Sequence, residues 1–153
     1  MEQTAQQHAE RANEHFRGQK AIAVMHAGEP VDAIAIMEVW VDGKMIVVVI
    51  DREHIGRFCS VVGIEHGLAD AQGEVEAIVY SSDAWRREFG PDGPIEDTRQ
   101  EVLTTLCVTA DGGVGSVVTP YTYDPYGAVV FGVPEVHAML DSTVAEDMRK
   151  AFG

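Results

Sequence analysis

Two runs of β-branched and apolar residues, Val31 to Val41 and Lys44 to Ile50, meet at the dipeptide Asp42-Gly43. Asp-Gly accepts the positive φ angles of a two-residue type I′ turn, so the runs predict an antiparallel hairpin. This constrains the fold more than any other feature of the sequence, because an isolated hairpin is only marginally stable and needs further strands or helices. Its second arm, Met45-Ile46-Val47-Val48-Val49-Ile50, has no polar alternation. A strand apolar on both faces is expected at the centre of a sheet.

The remaining residues supply the cover. Ala5, Ala9, Ala12 and Phe16 recur at helical spacing, with Glu10, Arg11, Glu14 and Arg17 largely on the other side, which predicts a helix from Thr4 to about Ala27. Gly18 should weaken or split it, and Gly28-Glu29-Pro30 should stop it. Asp51 is placed to cap a second helix running to about His66 and ending at Gly67, with Ile55, Phe58, Cys59 and Val62 as its buried stripe. Strands are expected over Glu74 to Trp85 and Ile95 to Ala110. Asp111-Gly112-Gly113 turns the backbone into Val114 to Tyr123, and Asp124-Pro125-Tyr126-Gly127 turns it into Ala128 to Val133. Pro134 suits the first turn of a last helix carrying Val136, Leu140, Val144, Met148 and Phe152. The expected class is α+β: one domain over residues 1–153, a single mainly antiparallel sheet of five or six strands, and three helices in the order α-ββ-α-βββ(β)-α.

Twenty-five acidic residues against eleven Lys and Arg give a net charge of −14. Such a surface argues against direct binding to nucleic acid or to an anionic membrane. Met45 to Ile50 is the longest strongly apolar stretch and is far too short to span a bilayer. The first residues have neither a basic start nor an apolar core, so a cytoplasmic location is expected. Cys59 and Cys107 lie in apolar runs and are expected to be buried thiols.

Chemistry concentrates after the third strand. Ser82-Asp83-Ala84-Trp85-Arg86-Arg87 is followed, beyond Gly90-Pro91-Asp92-Gly93-Pro94, by Asp97-Thr98-Arg99-Gln100-Glu101, so three of the eleven cationic residues gather around one Trp. A hairpin closed over that loop would set Asp83 opposite Arg99 and Trp85 near Asp97, with Asp97, Arg99 and Glu101 on one face of the strand. Trp and Arg dominate interface hot spots. A plain cross-strand ion pair would account for Asp83 and Arg99 equally. Tyr121, Tyr123 and Tyr126 surround the next turn, as interface residues or as sheet packing. His8 and His15 share a helix face, but no His-x-x-x-His pair exists, so solvated or half-buried histidines are expected. Gly112-Gly113-Val114-Gly115-Ser116 leads into a strand rather than a helix and reads as a hairpin turn, not a phosphate loop.

The pairing of Ser82-Asp83-Ala84-Trp85 with Asp97-Thr98-Arg99-Gln100-Glu101 resembles a motif of uncharacterised small proteins of bacteria and their phages, Ser-(Asp or Glu)-Ala-Trp followed by Asp-x-Arg-x-Glu. The likeness spans Val79 to Leu106, and Asp83 stands where Glu is commoner. That family has no assigned activity, so the resemblance marks the segment without naming a function. The element order is also similar to that of roadblock and profilin-like domains, an analogy of fold that carries no function. The functional expectation is a non-enzymatic binding or assembly module acting as a homo-oligomer or on a protein partner. Its expected site is Asp83, Trp85, Arg99 and Glu101, with Tyr121, Tyr123 and Tyr126. One alternative is a small metal-dependent hydrolase gathering Asp83, Asp97 and Glu101 with a distant His; another is an acidic mimic of nucleic acid. No catalytic residue, metal ligand or cofactor is assigned.

Overall fold

A computed structural model describes residues 3–69, 75–137 and 142–152. The first helix, α1, spans Ala5–Ala27 without a break at Gly18. Thr4 and Gln7 form a reciprocal capping box, with the Thr4 Oγ1 accepting from the Gln7 N–H at 3.1 Å and the Gln7 Oε1 accepting from the Thr4 N–H at 2.9 Å. Gly28 ends the helix in the left-handed region, its N–H donating to the Val24 carbonyl. Ala5, Ala9, Ala12 and Phe16 are buried as their spacing predicts.

Strands β1 (Ile36–Val41) and β2 (Lys44–Val49) form the anticipated hairpin, and Asp42 and Gly43 both take positive φ, 52° and 73°. Next come α2 (Ile55–Ala69), β3 (Val75–Arg86), a two-strand ribbon β4 (Phe89–Gly90) and β5 (Gly93–Pro94), then β6 (Gln100–Thr109) and β7 (Val114–Tyr123). The fold closes with β8 (Val129–Phe131), β9 (Glu135–Val136) and α3 (Ser142–Arg149). Every pairing is antiparallel, in the order β2-β1-β3-β6-β7-β8, with β9 also on β7. The α+β class therefore holds, with seven strands in the main sheet among the described residues. Among the described residues no helix is long and apolar enough to cross a membrane.

The period of two divides the sheet cleanly. Ala77, Val79, Cys107 and Val117 pack under Ala5, Ala9 and Ala12 of α1. Met37, Val39, Ile78, Tyr80, Leu106 and Val108 face the opposite way and meet Ile55, Cys59 and Val62 of α2 and Ala145 and Met148 of α3. Each large side chain buried in these layers contributes roughly 1.5–3 kcal/mol of transfer free energy. Both cysteines are free and buried, and burial raises each thiol pKa to about 12. Beneath α1 a small polar network fixes the docking register. Asn13 donates to the Thr105 hydroxyl at 3.2 Å and accepts from Thr119 at 2.6 Å, while Ser81 and Thr105 share a bond at 2.9 Å. A fully satisfied buried network of this kind specifies one arrangement over its neighbours.

Four expectations change. The strand expected at the centre, β2, is an edge, because β3 pairs with β1 on the other side. The first arm of the hairpin begins at Ile36 rather than Val31, since residues 31–35 pass the end of α1 and bond to Lys20 and Asp83 there. A 3-10 turn over Arg52–His54 precedes α2, and the Asp51 side chain makes no capping bond. Pro134 leads into β9, where Val136 pairs with Val117, and the last helix starts only at Ser142. Glu74 and Leu140 lie outside the described residues.

Candidate functional site

The far end of the sheet, beyond Phe16 of α1, carries most of the residues singled out from the sequence, in an arrangement the sequence did not foretell. Connection β3–β6 holds both the β4–β5 ribbon and a 3-10 turn over Glu96–Thr98, so strand pairing resumes only at Arg86 opposite Gln100. Asp83 therefore faces Leu103, not Arg99, and Trp85 faces Glu101, not Asp97. The expected Asp97-Arg99-Glu101 ladder does not form, because the strand begins after the first two of these residues.

Asp83 is instead a buried structural hub. Its Oδ2 accepts from the Lys20 ammonium at 3.0 Å and from the Ala33 N–H, and its Oδ1 accepts from the Tyr121 hydroxyl at 2.6 Å. Lys20 is fully buried and also donates to the Val31 carbonyl, its Nζ lying 4.6 Å from the centre of the Tyr121 ring. Burial, and then donation to Asp83, push the Tyr121 hydroxyl pKa well up. One carboxylate thus joins α1, the loop over residues 28–35, β3 and β7. Breaking such a pair exposes the survivor to an uncompensated desolvation penalty.

Beside this hub the surface opens. Trp85 is 51 % exposed, with the Arg87 and Arg99 guanidinium carbons 4.7 and 5.0 Å from its ring centre. Arg99 also pairs with Glu101 at 3.2 Å. A cleft of about 340 Å³ runs between Pro30, Val31 and Asp32 on one side and Trp85, Arg99, Glu101 and Tyr123 on the other, floored by Asp83 and Tyr121. Arg86 points to the opposite face of the sheet, where it bonds Glu135 and Gln100, each at 2.9 Å. The Glu135 bond holds the Arg86 pKa up, and Arg86 holds the Glu135 carboxyl below its ordinary value. Tyr123 packs edge-on to Tyr121 at 5.8 Å. Tyr126 is 95 % exposed on the β7–β8 turn, which Asp124 closes by accepting from the Tyr126 and Ala128 N–H groups.

A second cluster, unanticipated from the sequence, lies at the opposite end of α1. Glu38 is buried on β1 and accepts from Arg11 at 2.6 Å and from the Trp40 indole at 3.1 Å. His8, expected to be solvated or half-buried, is buried against Trp40, with ring centres 5.0 Å apart. Among the described residues its Nδ1 has no hydrogen-bond partner, and burial, with Arg11 second, lowers its pKa below 6.5. The only sequence signal was a polar residue at a buried helical position, which periodicity alone does not pair with a strand residue thirty positions later.

These arrangements can bind and orient, and they bear on the hydrolytic alternative. Both oxygens of Asp83 are occupied by protein donors, and Asp97 sits in the 3-10 turn away from the strand. Among the described residues no three His, Cys, Asp or Glu side chains converge as a metal site would need. No protein-family model matches the sequence, and neither the curated proteins nor the solved structures give a significant match.

Proposed function

We propose that this protein is a binding module that associates with itself and takes a protein partner on the Trp85 cleft. The observation that carries the reading is Trp85 itself: a large ring, half exposed, beneath two guanidinium groups and beside a cleft whose floor is rigidly held. Such aromatic-plus-Arg surfaces concentrate binding energy, because the ring buries area with little loss of freedom and the guanidinium makes directed bonds. The buried Lys20–Asp83–Tyr121 hub supports the cleft from below, which reduces the ordering that binding would otherwise require.

The test is affinity capture from cell extract with the native protein and with Trp85→Ala and Arg99→Ala. Both positions are exposed, so the variants should keep the native fold by circular dichroism. A protein held by the native form and lost from both variants is the expected outcome. An identical set of bound proteins on all three overturns the reading of the cleft.

A further inference from the structure

We infer that β2 is the contact through which two copies of the protein join their sheets, pairing antiparallel about Val47. The inference rests on the self-association part of the reading above and assigns it to a surface other than the Trp85 cleft.

Its first support is the backbone. Val41 and Lys44 close a two-residue hairpin, so Lys44, Ile46 and Val48 direct their N–H and C=O groups toward β1. The main-chain groups of Met45, Val47 and Val49 then point outward, and among the described residues no strand pairs that edge. Natural edges are protected by charge, proline, a bulge or a covering segment. Between Met45 and Val49 this one has no charge, proline or bulge, and no described segment covers it.

The second support is the side chains. Met45, Ile46, Val47 and Val49 are between 45 % and 66 % exposed, so both faces of the strand are uncovered. A groove of about 290 Å³ lined by Ala23, Ile34, Ile36 and Val49 extends this surface to α1, where Ile22 is also exposed. Ile22, Ile34 and the four β2 residues are all between 45 % and 67 % exposed, an apolar margin of the kind that permanent interfaces cover.

Charge and symmetry select a second copy as the occupant. Two molecules of net charge −14 repel, yet residues 44–50 contain no acidic side chain and only Lys44 is charged. The outward groups are self-complementary: Val47 meets the partner's Val47 across a two-fold axis, and Met45 meets the partner's Val49, for about six main-chain hydrogen bonds. An axis normal to the sheet keeps Met45, Val47 and Val49 of both copies on the face shared with α1, where they form one apolar strip. The pairing is closed, since each copy uses its only β2.

The experiment is sedimentation equilibrium on the native protein, Val47→Lys, Val47→Glu and an equimolar mixture of the two variants. A dimer is expected for the native protein, with association at least 100-fold weaker in each variant, because like charges then meet at the axis. The mixture should recover dimer, since Lys faces Glu. Should Val47→Lys lose its native circular dichroism, Val49→Lys is read in its place. A native protein that stays monomeric overturns the inference and self-association together. A native dimer that V47K or V49K leaves intact overturns only the assignment to β2.

Discussion

At the scale of single residues, the decisive finding is that both carboxylate oxygens of Asp83 are engaged by groups of the fold itself. Lys20, its partner, lies 63 positions earlier on a helix face that periodicity alone would assign to packing. Asp83→Ala should destabilise the protein by about 3–5 kcal/mol, because it leaves Lys20 buried and unpaired. Replacing both, as Lys20→Met with Asp83→Leu, should be milder than the sum of the single changes. Urea unfolding of the native protein, Lys20→Met, Asp83→Leu and the double variant measures the difference, and strict additivity would contradict the pairing. His8 gives a residue-scale pH dependence. Its folded pKa lies below 6.5, so the unfolded state takes up a proton that the folded one refuses as pH falls. Stability contributed by neutral His8 is present above about pH 6.5 and lost progressively below it. His8→Asn should flatten the fall of melting temperature between about pH 6.5 and pH 5; an unchanged slope would show that His8 does not titrate in this way.

At the scale of elements, the close approach of α1 to β7 sets the strictest demand. A Cβ on Gly115 would lie 2.4 Å from the carbonyl carbon and oxygen of Ala5 and 2.5 Å from the backbone nitrogen of Gln6. There the Gln6 side-chain amide also exchanges two bonds, each 3.0 Å, with the Ser116 backbone. Gly115→Ala should therefore cost about 1–3 kcal/mol by forcing the helix start off the sheet. Gly18→Ala, with nothing within 4 Å, should stabilise by about 0.5–1 kcal/mol. Opposite shifts in urea midpoint are expected, and equal ones would refute the packing argument. The same elements show what was legible in the sequence. Asp42-Gly43, the Ala5–Phe16 stripe and the Ile55–Val62 stripe are local patterns, and each predicted its element. The strand over β2 was readable as well, but its position was not. An apolar run without alternation describes a strand buried between neighbours and an edge awaiting one equally well.

At the scale of the whole molecule, the topology explains the remaining departures. Placing Asp83 opposite Arg99 required a tight β3–β6 hairpin. The ribbon and 3-10 turn in that connection move the partner four residues along, to Leu103. A shift by an even number keeps every side chain on its face. The binary pattern of β3 and β6 was thus compatible with both registers and did not choose between them. Trp85 and Glu101 consequently became neighbours, and Arg99 reached Trp85 from outside the strand. The site was legible as a place in the sequence and illegible as a geometry.

The docking of α1 across β3, β6 and β7 has a consequence for biosynthesis. Asn13 and Thr119, joined in the polar network, stand 106 residues apart. At about 5–20 residues per second, translation needs roughly 5–20 s to bridge that interval. For all of that time the helix with Phe16, Lys20 and its row of alanines has left the ribosome without the sheet that buries it. A helix made before every strand it packs on is thus among the last elements to find its place.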